Sequence, residues 1–223
     1  VKCAGISITH GGQPLHLLPC GAAFDEASAR LFVADLHLGK TQIFREAGIP
    51  LPEGPDAGVL EKLSQCAADT GAREIVVLGD LFHARPAGFQ QMLQRLKDWR
   101  ARHPGILWTV VPGNHDRRVP WDEWLPGAAI VPEDAMLGPW QLRHHPPEDD
   151  LPVAPLVCGH LHPGLRLGRS RVNRMHVPCF WQRGRTLILP GFGTFTGLHL
   201  IKRTPGDRAW AAAAGRVVEV PGD

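Results

Sequence analysis

Among the five cysteines of this chain no two stand as a C-x-x-C pair, and their number is odd. Cys3, Cys20, Cys66, Cys158 and Cys179 are scattered. That excludes a thiolate zinc site and a disulfide framework as organising devices, and it points to a reducing compartment. No apolar run approaches the roughly 20 residues of a membrane-spanning helix, and Val1 to Cys20 lacks the continuous apolar stretch of a secretory signal. The expectation is a soluble, cytoplasmic protein with no membrane association. No linker, repeat or low-complexity segment interrupts the chain; Ala211 to Ala214 is too short to count. Tyrosine is absent and tryptophan comparatively frequent, and neither fact carries a functional reading. Acidic residues are missing from Leu151 to Gly206, a stretch that holds Arg166, Arg169, Arg171, Arg174, Arg183, Arg185, Lys202 and Arg203. The net charge is only +2, so bulk charge does not announce a nucleic-acid partner. The local surplus can still attract a polyanion, or it forms a solvated face balanced by acids elsewhere.

With 223 residues and 43% apolar content, the chain suits one domain over residues 1–223 with a substantial core. Short apolar runs recur, and each ends on residues with chemistry. Leu31 to Ala34 ends at Asp35, Glu74 to Leu78 at Gly79-Asp80, and Ile106 to Val111 just before Gly113-Asn114. Trp140 to Arg143 ends at His144, and Leu156 to Cys158 at Gly159-His160. Such runs, bounded by Gly and Pro, predict buried strands. Between them, Asp56 to Thr70 places Val59, Leu60, Leu63, Cys66 and Ala67 on one helical face. Ala87 to His103 does so with Phe89, Met92, Leu93, Leu96 and Trp99, between Pro86 and Gly105. Alternation of strand and helix predicts an α/β protein with a largely parallel first half, and ligands gather at the carboxyl ends of such strands. From Ala128 onward, short strands are expected, among them Thr186 to Leu189, Leu198 to Ile201 and Arg216 to Val220 in a second sheet. Pro146 to Pro155 reads as a loop.

The strand ends carry Asp35-Leu36-His37, Gly79-Asp80, Gly113-Asn114-His115-Asp116, His144-His145-Pro146 and Gly159-His160-Leu161-His162. Residues i and i+2 at a strand end can both turn inward once the chain leaves the sheet, as Asp35 with His37 and His160 with His162. Asp80 has two carboxylate oxygens with which to bridge two cations. The mixed oxygen and nitrogen set suits manganese, iron or zinc, whereas calcium prefers oxygens almost throughout. Paired cations with open positions are suited to attack on phosphate esters. His144 and His145 compete for one ligand position; His144 is favoured because it directly follows the strand. His10, His16, His103, His176 and His199 have no motif context.

In this order of segments, from roughly Leu31 to His162, the chain resembles the calcineurin-like metallophosphoesterase superfamily. The resemblance implies a two-sheet β-sandwich flanked by helices. It implies one metal held by Asp35, His37, Asp80 and His162, a second held by Asp80, Asn114, His144 and His160, and a water or hydroxide between them for in-line attack at phosphorus. His115 then stands beside the scissile phosphate, with Asp116 orienting its other ring nitrogen. Asp35-Leu36-His37-Leu38-Gly39-Lys40, Phe44-Arg45 and Gly48 to Pro52 are similar to the bacterial ligase-associated DNA-damage-response metallophosphoesterases, as are Leu189-Pro190 and Phe192 to Gly197. That likeness implies a manganese-dependent DNA endonuclease of repair, acting on single-stranded DNA in preference to duplex and associated in function with an ATP-dependent DNA ligase and a helicase. Gly79 to His83 resembles a segment of double-strand-break repair nucleases, which makes His83 a candidate substrate contact. Lys40, Arg45, Arg85, Arg117 and Arg118 are candidate phosphate contacts; Phe192 and Phe195 belong to the core or stack on bases, the core being favoured. The alternatives are a phosphodiesterase acting on small nucleotides or other small phosphoesters, and a scaffold that has lost catalysis. The second is disfavoured because every ligand position is filled.

Overall fold

The computed structural model describes residues 5–40, 48, 55–83, 89–148, 152–168, 174–194 and 196–222. Its first sheet runs in sequence order through β1 (Ile6–His10), β2 (Gln13–Leu17), β3 (Ala23–Asp25), β4 (Arg30–Val33), β5 (Glu74–Leu78), β6 (Leu107–Val111) and β7 (Ala129–Ile130). β4 to β7 are parallel, as the strand-helix alternation predicts. An antiparallel meander, β1–β4, precedes them. Gly11 and Gly12, with φ of 56° and 85°, make the two-residue turn between β1 and β2. A turn with both central residues left-handed matches strand twist, which is why glycine occupies it.

The second sheet contains β8 (Ala135–Leu137), β9 (Trp140–Leu142), β10 (Leu156–Cys158), β11 (Pro163–Leu167), β12 (Met175–Arg183), β13 (Thr186–Ile188), β14 (His199–Leu200), β15 (Arg208–Ala213) and β16 (Arg216–Val220). β9, β10 and β13 are mutually parallel. The nine-residue β12 escapes sequence reading because Pro178 lies inside it. That proline sits where β12 passes from pairing with β11 to pairing with β15, a position that tolerates a missing N–H.

Alternation along the parallel strands creates two cores. Leu31, Val33, Ile75, Val77 and Val110 face α1 (Pro55–Thr70) and α2 (Phe89–Arg102), while Phe32, Val76, Leu78 and Val111 face the second sheet. The expected apolar faces of both helices are buried against the first sheet. The two sheets clasp Trp140, Phe180 and Trp210 between them. This is the sandwich the resemblance implies, with both long helices on the outer face of the first sheet. α1 begins at Pro55, whose missing N–H costs nothing in the first turn. It closes at Gly71, where the N–H groups of Gly71 and Ala72 both reach the Ala67 carbonyl.

Trp99 locks the two helices together. It is fully buried, and its indole N–H donates to the Leu60 carbonyl (3.0 Å) and to Ser64 Oγ (2.6 Å). Trp99→Ala should therefore destabilise the protein by about 3–5 kcal/mol, read as a lower denaturant midpoint. An unchanged midpoint would show that this helix contact is dispensable.

Candidate metal centre

Asp35 and His37 follow β4, Asp80 follows β5, and Asn114 to Asp116 follow β6. His144 follows β9, and His160 and His162 follow β10. All five segments leave the carboxyl ends of parallel strands, three from one sheet and two from the other. Backbone bonds tie the loops together, with Asp35 N–H donating to the Gly79 carbonyl (3.1 Å), His37 N–H to Asp80 (2.9 Å) and Gly159 N–H to His144 (3.1 Å). Asp35, His37, Asp80, His160 and His162 all have φ between 47° and 70°. Left-handed backbone is costly for such residues, and it persists at sites where the surroundings over-determine it. Gly79 must lack a side chain, because a Cβ there would collide with the His144 ring; one at Gly113 would collide with the Asp80 carboxylate.

Ligand-capable atoms of the described residues converge in four overlapping clusters. Asp35, His37 and His162 form one and Asp35, Asp80 and His144 another; His37, His83 and His115, and His144, His145 and His160, group likewise, each set with donor atoms within 4.8 Å of one another. His144 is fully buried; its Nδ1 faces the Leu78 carbonyl (3.0 Å). With Nδ1 donating to that carbonyl, the lone pair of Nε2 points inward. It meets Asn114 Oδ1 at 3.1 Å and His160 Nδ1 at 3.1 Å. Asp80 Oδ2 lies between the clusters, 3.7 Å from His144 Nε2 and 3.9 Å from His37 Nε2. His145 is half-buried and bonds Glu133, its Nδ1 2.8 Å from Oε1. His145 still keeps a ring nitrogen within 4.8 Å of donor atoms of His144 and His160.

The donor set fits divalent cations. Asp35 Oδ1 is buried and has no hydrogen bond, with His162 Nε2 standing 3.3 Å away, a costly state for a carboxylate oxygen unless a cation or proton faces it. The spacings of 3.1 Å match neighbouring ligands on one ion, which stand about 3.0–3.4 Å apart when each bond is about 2.1 Å. Burial pushes the His37 imidazole down to about 2, helped by the nearby positive charge of Lys40; burial and the charges of His115 and Lys40 hold His83 at about 4. Imidazoles held neutral in this way are ready to coordinate.

Other expected residues fall differently. Asp116 does not orient His115. Its carboxylate accepts the N–H groups of Leu81 (3.2 Å), Phe82 (3.1 Å) and Gly113 (3.0 Å), clamping the β5 and β6 loops together. Burial raises its carboxyl to about 6. His115 is turned by the His83 carbonyl, 3.0 Å from its Nδ1, which leaves Nε2 4.0 Å from Asp80 Oδ2. The His83 ring itself meets His37, with 3.1 Å between the two Nδ1 atoms. Phe192 is fully buried beneath the Lys62 ammonium, so it belongs to the core. Lys40 is half-buried near Asp35 and Asp80, while Arg117 and Arg118 are exposed. Arg45, Arg85, Arg169, Arg171 and Phe195 lie outside the described residues. Arg203 donates to the carbonyls of Val220 (2.6 Å) and Pro221 (2.7 Å), so it fastens the chain end. Glu133 was not legible in advance; only the fold brings it to His145.

The calcineurin-like phosphoesterase family matches residues 30–176, and the chain belongs to it. It is a hydrolase acting on phosphoester bonds, and the family implies divalent metal ions. The crystal structure of Pseudomonas putida nuclease MPE is similar, with 32% identity and a TM-score of 0.82 over 97% of this chain and 100% of that one. Yfce, a phosphoesterase from E. coli, shares 18% identity over 86% of this chain and 97% of that one, with a TM-score of 0.46, too distant to carry an argument. No curated protein matches the chain. No helix among the described residues is long and apolar enough to cross a membrane.

Proposed function

We propose that this chain is a binuclear phosphodiesterase acting internally on DNA, as an endonuclease of repair, with manganese as the favoured metal. The observation that carries the reading is the carboxylate of Asp80, set between the buried imidazoles of His37 and His144 at the rim of both sheets. In this reading Asp35, His37, Asp80 and His162 hold one ion, and Asp80, Asn114, His144 and His160 the other. When bound, such a pair supplies Lewis acidity and a nucleophilic water of lowered pKa. His115 presents Nε2 towards the centre and donates a hydrogen bond to the phosphate or a proton to the leaving alkoxide. Asp116 keeps the loop bearing Asn114 and His115 in place. Lys40 lends positive charge beside the two carboxylates. The nuclease MPE likeness over nearly the whole chain supports DNA as substrate, and the exposed Arg117 and Arg118 beside the centre suit phosphate contacts without sequence preference.

Incubation of manganese-loaded protein with circular single-stranded DNA tests the reading, because a circle admits only internal cuts. Linear and shorter products are expected, and single strands are expected to be cut faster than duplex circles. Circles left intact would remove the endonuclease assignment.

His83 acts through its neighbours, since its ring meets His37 and its carbonyl turns His115. His83→Ala should weaken manganese binding by about 10–100-fold, as losing the partner of a ligand histidine does. Metal titration reads this directly, and unaltered affinity would exclude the positioning role.

A further inference from the structure

Beside His115 the centre opens into a cavity of about 640 Å³. Its size is within the roughly 300–1,000 Å³ of sites that enclose small molecules. The floor is apolar. Phe82 and Trp124, both buried, stand edge to face at 5.1 Å, and Val119 adjoins them. The mouth is polar: His83, His115 and Arg118 line it with ring nitrogens and a guanidinium. Asn114 and His115 belong to this wall and to the metal centre alike, so the cavity continues the site without a break. A group seated there is one ester bond from a phosphorus held at the centre. The opposite flank has another character, for His145 is bound there to the Glu133 carboxylate, which repels phosphate.

We propose that this cavity receives the nucleobase and sugar of the nucleoside on the His115 side of the scissile phosphate. This inference rests on the phosphodiesterase reading above and adds the part of the substrate that the enzyme grips. A flat base has two apolar faces and a polar edge, matching an aromatic and aliphatic floor below a rim of donors. Apolar contact accepts every base, so the grip sets the position of the cut along a strand and leaves sequence unread. Arg118 at the mouth is placed to meet the next phosphate along.

The test uses manganese-loaded protein and a single-stranded oligodeoxynucleotide in which one nucleotide is replaced by a tetrahydrofuran abasic residue. Cutting is read bond by bond. The two bonds flanking the lesion should behave differently. The one whose cavity-side nucleoside lacks a base should be cut about tenfold slower or more, and the other at nearly the parent rate. In a Val119→Trp variant, which fills the cavity, the intact strand should be cut as slowly at that bond as the abasic strand is by the parent. Equal rates at both flanking bonds, whether fast or slow, would overturn the cavity assignment and leave the phosphodiesterase reading intact. So would a Val119→Trp protein that cuts the intact strand at the parent rate. Failure to cut any bond of the unmodified strand would overturn the DNA reading itself, and the cavity assignment with it.

Discussion

Asp80→Asn should strip the protein of its paired ions and lower phosphodiesterase turnover by about 10³-fold or more, roughly 4 kcal/mol of barrier. The asparagine keeps the size of the side chain and an oxygen to accept the His115 N–H, a bond of 2.9 Å. What it removes is the charge and the second carboxylate oxygen, the one between His37 and His144. Without that negative charge two dications would face each other across a short gap, and one of them would leave. Metal analysis of the purified variant should find at most one ion per chain, with unchanged circular dichroism. Two ions per chain would remove the bridging role.

His115→Ala should have the opposite profile, with metal content at the parent level and turnover on DNA down by about 10²–10⁴-fold. The ring is more than a third exposed on its catalytic side and packs beside His83, with ring centroids 4.4 Å apart. Its removal therefore leaves the Asp80 carboxylate and the loop backbone in place. A nitrophenyl ester divides the two roles open to this residue. If His115 protonates the leaving alkoxide, a good leaving group needs little help and the deficit should nearly vanish. If it binds the phosphate, the deficit should persist on both substrates. Parent turnover on DNA would dismiss His115 from the mechanism.

Much of this centre was legible in the chain because its ligands are local signatures at strand ends. Asp35 with His37 and His160 with His162 announce themselves within three residues, and the apolar runs before them fix where they stand. The parallel strands and both helical faces were legible for the same reason: period and burial agree along them. What failed to show were relationships made by backbone. The carbonyl of His83 turns His115, and no side-chain pattern encodes a carbonyl. Asp116 sits beside His115 in sequence, yet its partners Leu81 and Phe82 come from the loop after β5 and reach it only in the fold. The β1–β2 hairpin was readable from its paired glycines between alternating residues and was overlooked among polar neighbours. β15 was hidden by its alanines, which are poor strand formers; here they alternate between the inter-sheet core and the outer cluster.

The loops that converge on the centre leave two different sheets, which are also joined by side-chain packing around residues such as Trp140, Phe180 and Trp210 and by hydrogen bonds such as Trp140 Nε1 to Asp25 Oδ2 and Phe192 N–H to the Ala34 carbonyl. Ions seated among those loops, as proposed, would act as a clasp on one rim of the sandwich. They bind the assembled layers and have no comparable site in separated ones, so occupancy draws the equilibrium towards the closed form by mass action. Catalytic readiness and resistance to unfolding would then be the same event in this protein: a cell short of the metal would hold an enzyme that is both idle and easier to take apart.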